Sequence, residues 1–117
     1  MEALLFAFKN TCAGLNHAVR TERAVRQEAI VLLIAVPLAF LIGAGAWQRV
    51  ALIGSILVVM AVELLNTCAE KLCDHVTPER HPQIKIVKDM GSAAVFCTLV
   101  VATMIWLTAL AERLALI

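Results

Sequence analysis

The chain has 117 residues, 62% of them hydrophobic, with a mean hydropathy of +0.88. Soluble domains sit nearer half apolar, so lipid rather than water solvates most of this one, as a single membrane domain over residues 1–117. A net charge of +1 argues neither for nor against nucleic acid, and with no arginine-rich run or series of stacking aromatics no nucleic-acid partner is expected.

Residues 1–22 read as an amphipathic surface helix. Leu4, Leu5, Phe8, Cys12, Leu15 and Val19 share one stripe of about 100°, with Lys9, Asn16, His17 and Arg20 beyond its edge. Such a helix lies along a bilayer interface, the other reading being a helix docked on protein. Glu22 and Arg26 would fall on the apolar stripe if the helix ran on, so a bend is expected between Ala18 and Glu22. The two also form an i,i+4 pair. The N-terminus lacks a basic flank before a compact apolar core, so no cleavable signal peptide is expected.

Three uncharged or nearly uncharged stretches follow, each long enough to cross a bilayer. The first, 29–47, holds Pro37 at its middle and implies a kink. Gly43 and Gly45 loosen its far end, and Gln48-Arg49 are expected to make a short turn. The second span is 50–73 and the third 91–111, with a polar connection from His75 to Lys88 containing Pro78 and Pro82. Cys12, Cys68, Cys73 and Cys97 show neither CxxC spacing nor a secreted framework and read as apolar packers. Cys73-Asp74-His75 offers soft-metal ligands but lacks a partner motif.

The second span is unusual. Asn66, Glu70, Glu63 and Asp74 fall within roughly an 80° arc of one helix, with Leu64, Leu65, Cys68 and Leu72 opposite. A buried ionised carboxylate costs several kcal/mol or more unless it is paired or binds a cation, so acids in register inside a span mark a functional site. Basic residues cluster in the N-terminal segment (Lys9, Arg20, Arg23, Arg26) and the second loop (Lys71, Arg80, Lys85, Lys88). The N-terminus and second loop are therefore expected in the cytoplasm and the C-terminus outside. Trp47 and Trp106 then both lie toward the outer interface, and Glu63 is the deepest acid on the cytoplasmic side.

Hard oxygen ligands such as Glu70, Asn66 and Glu63 suit Mg²⁺, which takes one or two carboxylates and fills its shell with water and phosphates. A partly desolvated Glu63 has its proton affinity raised and suits a general base, whose target at that depth would be a lipid alcohol. Lys88-Asp89-Met90-Gly91-Ser92, at the expected start of the third span, offers a mobile cation and free helix N–H groups for a phosphate. The plainer reading is a flanking lysine and a capping aspartate. There is no Walker A sequence, kinase Gly-rich loop or HExxH.

Glu22-x-x-x-Arg26-Gln27-Glu28, Val62-Glu63-x-Leu65-Asn66-x-x-x-Glu70 and Lys88-Asp89-Met90-Gly91-Ser92-Ala93-Ala94-Val95 together resemble the small integral-membrane diacylglycerol kinases of bacteria, and the resemblance covers nearly the whole chain. It implies an all-α integral membrane protein, a surface helix plus three transmembrane helices, assembled as a homotrimeric bundle with shared active sites in the inner membrane. It implies transfer of the γ-phosphate of MgATP to diacylglycerol, giving phosphatidic acid. By position, Glu63 resembles the catalytic base, and Glu22 and Glu70 the Mg²⁺ ligands. Gln27, Glu28, Lys88 and Asp89 match nucleotide- or phosphate-binding positions, as do Glu79 and His81 in the loop. Asn66, Arg26 and Ser92 match positions that orient substrate. The surface helix departs from the pattern, with Asn10 and Cys12 where aromatics are usual and Ala3 for a basic residue. A close branch of the family phosphorylates undecaprenol. Readings of a different class are a small cation channel or transporter subunit lined by Glu63, Asn66 and Glu70, and a structural subunit in which Glu63 pairs with a partner's cation.

Overall fold

The structure is a computed structural model describing residues 1–117. It is entirely helical: α1 (Glu2–Thr21), α2 (Arg23–Ile42), α3 (Ala46–Val76) and α4 (Pro82–Arg113). The last three are long and apolar enough to cross a membrane, as the composition predicts. α3 is the central element: α2 and α4 both pack chiefly on it, and α1 touches mainly α2.

The α1–α2 boundary is a single extended residue, Glu22 (φ −110°, ψ 116°). Its N–H donates to the Ala18 carbonyl at 2.8 Å, and its carbonyl accepts from Arg26 N–H at 3.1 Å, so it ends one helix and opens the next. Ala18 and Val25 are buried on either side of it and hold the corner. The expected bend is therefore present. The expected Glu22–Arg26 ion pair is not, because an extended Glu22 no longer shares a helical face with Arg26. The Arg26 guanidinium instead donates to the carbonyls of Val19 and Arg20, both at 3.4 Å. There it meets the negative end of the α1 dipole.

α3 and α4, of 31 and 32 residues, reach roughly 45–50 Å at about 1.5 Å per residue. That exceeds the ~30 Å hydrocarbon layer by several turns. Two expectations are corrected here. Gln48 and Arg49 lie inside α3 rather than in a turn, since nothing after Gly45 resists helix formation. The connection between the last two spans shrinks to residues 77–81, because loss of hydrophobicity ends a span without ending a helix. What stops α3 and starts α4 is Thr77 in extended geometry, then Pro82 at the first helical position with His81 as its cap. His81 Nδ1 accepts from Gln83 N–H at 3.1 Å.

Only 13 of 117 residues are buried, so a single chain leaves most of its apolar surface to lipid or to other chains. The core that exists is Ala39, Leu52 and Ala109, flanked by Ile42, Ile53, Ile105 and Trp106. Small residues on α2 and α4 (Ala35, Ala39, Ala102, Ala109) let the helices approach closely, as membrane helices require. The Trp106 indole N–H donates to the Leu52 carbonyl and to Ser55 Oγ, each at 3.1 Å. It ties α4 to α3, and Trp47 is exposed.

The α2–α3 end is closed by polar contacts as well. Gln48 accepts from Ala44 N–H at 2.9 Å and donates to Glu112 at 2.5 Å, joining the turn to α4. Arg49 lies over the Phe40 ring at 5.2 Å and donates to the Phe40 carbonyl at 3.5 Å. Gly43 is needed at this corner, since a Cβ there would sit 2.7 Å from both the Ala39 carbonyl oxygen and Arg49 Cγ.

Candidate active site at the charged end of the bundle

The end opposite that corner gathers the α1–α2 boundary, the end of α3, the 77–81 loop and the start of α4. Glu63 and Glu70 share a face of α3 seven residues apart, and Glu22 and Glu28 come from the start of α2. Glu63 is close enough to Glu28, Glu70 and Glu22 for their charges to interact. It is half-buried and joins no ion pair. Glu22 pairs with Lys71 at 2.7 Å. Four carboxylates around one lysine leave the cluster with excess negative charge, a field that favours a divalent cation.

No three acidic, histidine or cysteine side chains converge tightly enough to hold an ion unaided. Two carboxylates are the usual protein contribution where phosphates complete a Mg²⁺ shell, and Glu22 and Glu70 supply that number. One oxygen of Glu28 is buried without a hydrogen-bond partner. It stands at the end of an apolar groove of about 490 Å³ that runs between α2, α3 and α4 past Val31, Ala35, Val59, Leu99 and Trp106. A carboxylate at the mouth of a hydrocarbon-lined groove suits the polar head of a lipid.

Lys88 projects from α4 toward α3, where it meets Asp74 at 2.7 Å and feels the charge of Glu70. Lys85 pairs with Asp89 at 2.6 Å. Together with Glu79, Arg80 and His81 these residues line an open polar groove of about 610 Å³, within the usual size range of small-ligand sites. Lys88 and Asp89 lie well inside α4, whose backbone donors there are already spent. The helix-terminus argument for phosphate binding at this motif is thus corrected: any anion held here is held by side chains.

The structure therefore brings together Glu22, Glu28, Glu63, Asn66 and Glu70, with Lys88 beside them. Asp89, Glu79 and His81 lie on the adjoining groove. It turns Arg26 away, and it leaves Gln27 and Ser92 exposed with no side-chain hydrogen bond to the cluster. Sequence reasoning missed Lys71 as the partner of Glu22 and Lys85 as that of Asp89. The second follows from i,i+4 spacing, the first from no local signal. Asp74 was placed on the acidic face without its partner Lys88, because that pairing depends on how α3 and α4 align.

Long apolar helices that carry an acidic cluster and a lysine-bearing groove at one end define a small helical membrane protein with a single polar site. The family described as prokaryotic diacylglycerol kinase matches residues 9–110, and the chain belongs to it. The diacylglycerol kinase of Pseudomonas aeruginosa is 40% identical over 110 residues, 94% of this chain and 89% of the relative. That of Haemophilus influenzae is 37% identical over 103 residues (88% and 87%), and that of Escherichia coli K12 is 42% identical over 93 (80% and 76%). The family match takes in nearly all of the three long helices, so the protein is an enzyme of the kinase class with membrane-length helices.

Proposed function

We propose that this enzyme moves the γ-phosphate of MgATP onto the hydroxyl of diacylglycerol, giving phosphatidic acid. The observation that carries the reading is the acidic cluster at the mouth of the apolar groove, with Lys88 beside it. Glu63 takes the proton of the lipid hydroxyl. The oxygen so freed bonds to the γ-phosphorus, the bond to the bridging oxygen breaks, and ADP leaves. Lys88 moves from Asp74 to the phosphate and offsets its charge, as positioning-dominated phosphoryl transfer requires. Glu22 and Glu70 would hold Mg²⁺, which neutralises phosphate charge when bound. Glu28 orients the lipid head, and Asn66 orients Glu70. Asp89, Glu79 and His81 line the nucleotide groove, and Gln27, exposed at the start of α2 and outside that lining, reaches the nucleotide only if α2 shifts. Arg26 and Ser92 act on substrate only if α1 and α4 shift from their present positions.

Three spans cannot wrap a polar site on all sides, and the exposed apolar faces of α2, α3 and α4 leave room for neighbours. A homotrimer sharing its sites satisfies both facts. Concentration of lysine and arginine at the charged end supports its placement in the cytoplasm, with the C-terminus outside the inner membrane. A conducting path is disfavoured, since Ala39, Leu52 and Ala109 close the bundle beyond the acids and Gln48–Glu112 ties the far end. The groove is apolar along nearly its whole length, which suits a polyprenol chain as well. The deciding experiment is a labelled-ATP assay in mixed micelles offering diacylglycerol and undecaprenol side by side. Labelled phosphatidic acid as the main product is expected. Label in the polyprenol alone moves the substrate, and label in neither lipid overturns the reading.

A further inference from the structure

Gly91 lies in the interior of α4, where glycine weakens a helix relative to alanine. Space accounts for it. A Cβ at Gly91 would run into the Asn66 carboxamide oxygen, with Asn66 Cγ at 3.1 Å and Cβ at 3.9 Å. Gly14 and Gly54, in other helices, have nothing within 4 Å of such a Cβ. The Asn66 oxygen is buried and finds no hydrogen-bond donor, while its amide nitrogen donates to Glu70 Oε1 at 3.3 Å. An ionised Glu70 only accepts, so the nitrogen must face it and the oxygen must face away. The backbone of Gly91 is the surface it meets. Its Cα–H groups are the one weak donor that surface supplies.

We propose that Gly91 is a positioning residue for phosphoryl transfer: by carrying no side chain it seats the Asn66 carboxamide, whose NH₂ then fixes the Glu70 carboxylate. Outer contacts of this kind typically govern metal affinity by about 10–100-fold. The inference rests on the reading of Glu70 as a metal-holding carboxylate. An added methyl at Gly91 displaces the carboxamide, and Glu70 loses its orienting donor without losing its charge.

The test measures Mn²⁺ binding by loss of the free-ion electron paramagnetic resonance signal, on the full chain in detergent with a non-hydrolysable ATP analogue. Mg²⁺ dependence of kcat is followed in parallel. Gly91→Ala and Asn66→Ala are each expected to weaken Mn²⁺ binding about tenfold or more. Gly91→Ala/Asn66→Ala should be no worse than Asn66→Ala alone, because truncating Asn66 makes room for the methyl. Wild-type Mn²⁺ binding by either single variant, or effects that simply multiply in the double, overturns the inference. If Gly91→Ala does not assemble, the double variant decides: recovery of assembly with weak Mn²⁺ binding supports the inference, and failure to recover overturns it. Glu70→Ala separates the two levels. Unchanged Mn²⁺ binding there removes the metal reading itself, whereas loss there with a normal Gly91→Ala removes only Gly91.

Discussion

The two ends of the bundle handle polar groups differently. At the α2–α3 corner the polar side chains are mostly spent on structure: Gln48 bridges the turn to Glu112, Trp106 bonds Leu52 and Ser55, and Arg49 covers the end of α2. At the opposite end Glu63 has no ion-pair partner, a Glu28 oxygen and the Asn66 oxygen are buried unpaired, and lysines hold Glu22 and Asp74 through exposed pairs. Polar groups inside a membrane protein stabilise it when they are satisfied, and leaving them unmet costs free energy. Arg49 Nε at the far corner is also buried without a partner, but the two unpaired carbonyl-type oxygens, of Glu28 and Asn66, both stand at the charged end beside the unpaired Glu63, where a cation or a donor would satisfy them. Changes at the charged end should therefore remove activity and spare assembly, and changes at the other end should do the reverse.

Glu63→Gln gives the largest expected effect. It keeps the shape of the side chain but not its basicity, and phosphate transfer should fall by about 10²–10⁴-fold. Chromatographic size and thermal midpoint should stay those of the parent. Next, Glu70→Ala should raise the Mg²⁺ concentration for half-maximal rate at least about tenfold, with the KM for diacylglycerol unmoved. An unchanged Mg²⁺ curve removes Glu70 as a ligand. Asp74→Asn releases Lys88 from an exposed, solvent-screened pair. The KM for ATP should fall by up to about fivefold at low salt, and the difference from the parent should shrink at high salt. A rise in KM would mean that Asp74 holds Lys88 in its working position. Gln48→Ala, at the far end, removes the donor to Glu112 and the acceptor of the Ala44 N–H, and lies outside the lipid groove. The expected loss is about 1–2 kcal/mol of stability, read as a lowered thermal midpoint, with kcat within about twofold of the parent.

Much of this could be read from residue order. Uncharged length revealed three spans, a clash between stripe and charge located the corner at Glu22, and a helical angle of about 100° put Glu63, Asn66 and Glu70 on one face. Where helices stop was less legible, because hydropathy reports the bilayer's edge while Gly45, Thr77 and Pro82 set the helix ends. Pairings between helices were not legible either. Glu22 was assigned Arg26 by local spacing, but its extended backbone sends it to Lys71. Lys88 with Asp74, Trp106 with Ser55 and Gly91 with Asn66 all depend on the relative register of α3 and α4, which no local pattern encodes.

The contrast between the two ends is tested most directly by one paired measurement. Glu63→Gln and Gln48→Ala, matched for assembled protein, are assayed side by side for transfer of label from ATP to diacylglycerol. The account predicts a nearly silent Glu63→Gln and a Gln48→Ala close to the parent. Full activity in assembled Glu63→Gln would contradict it.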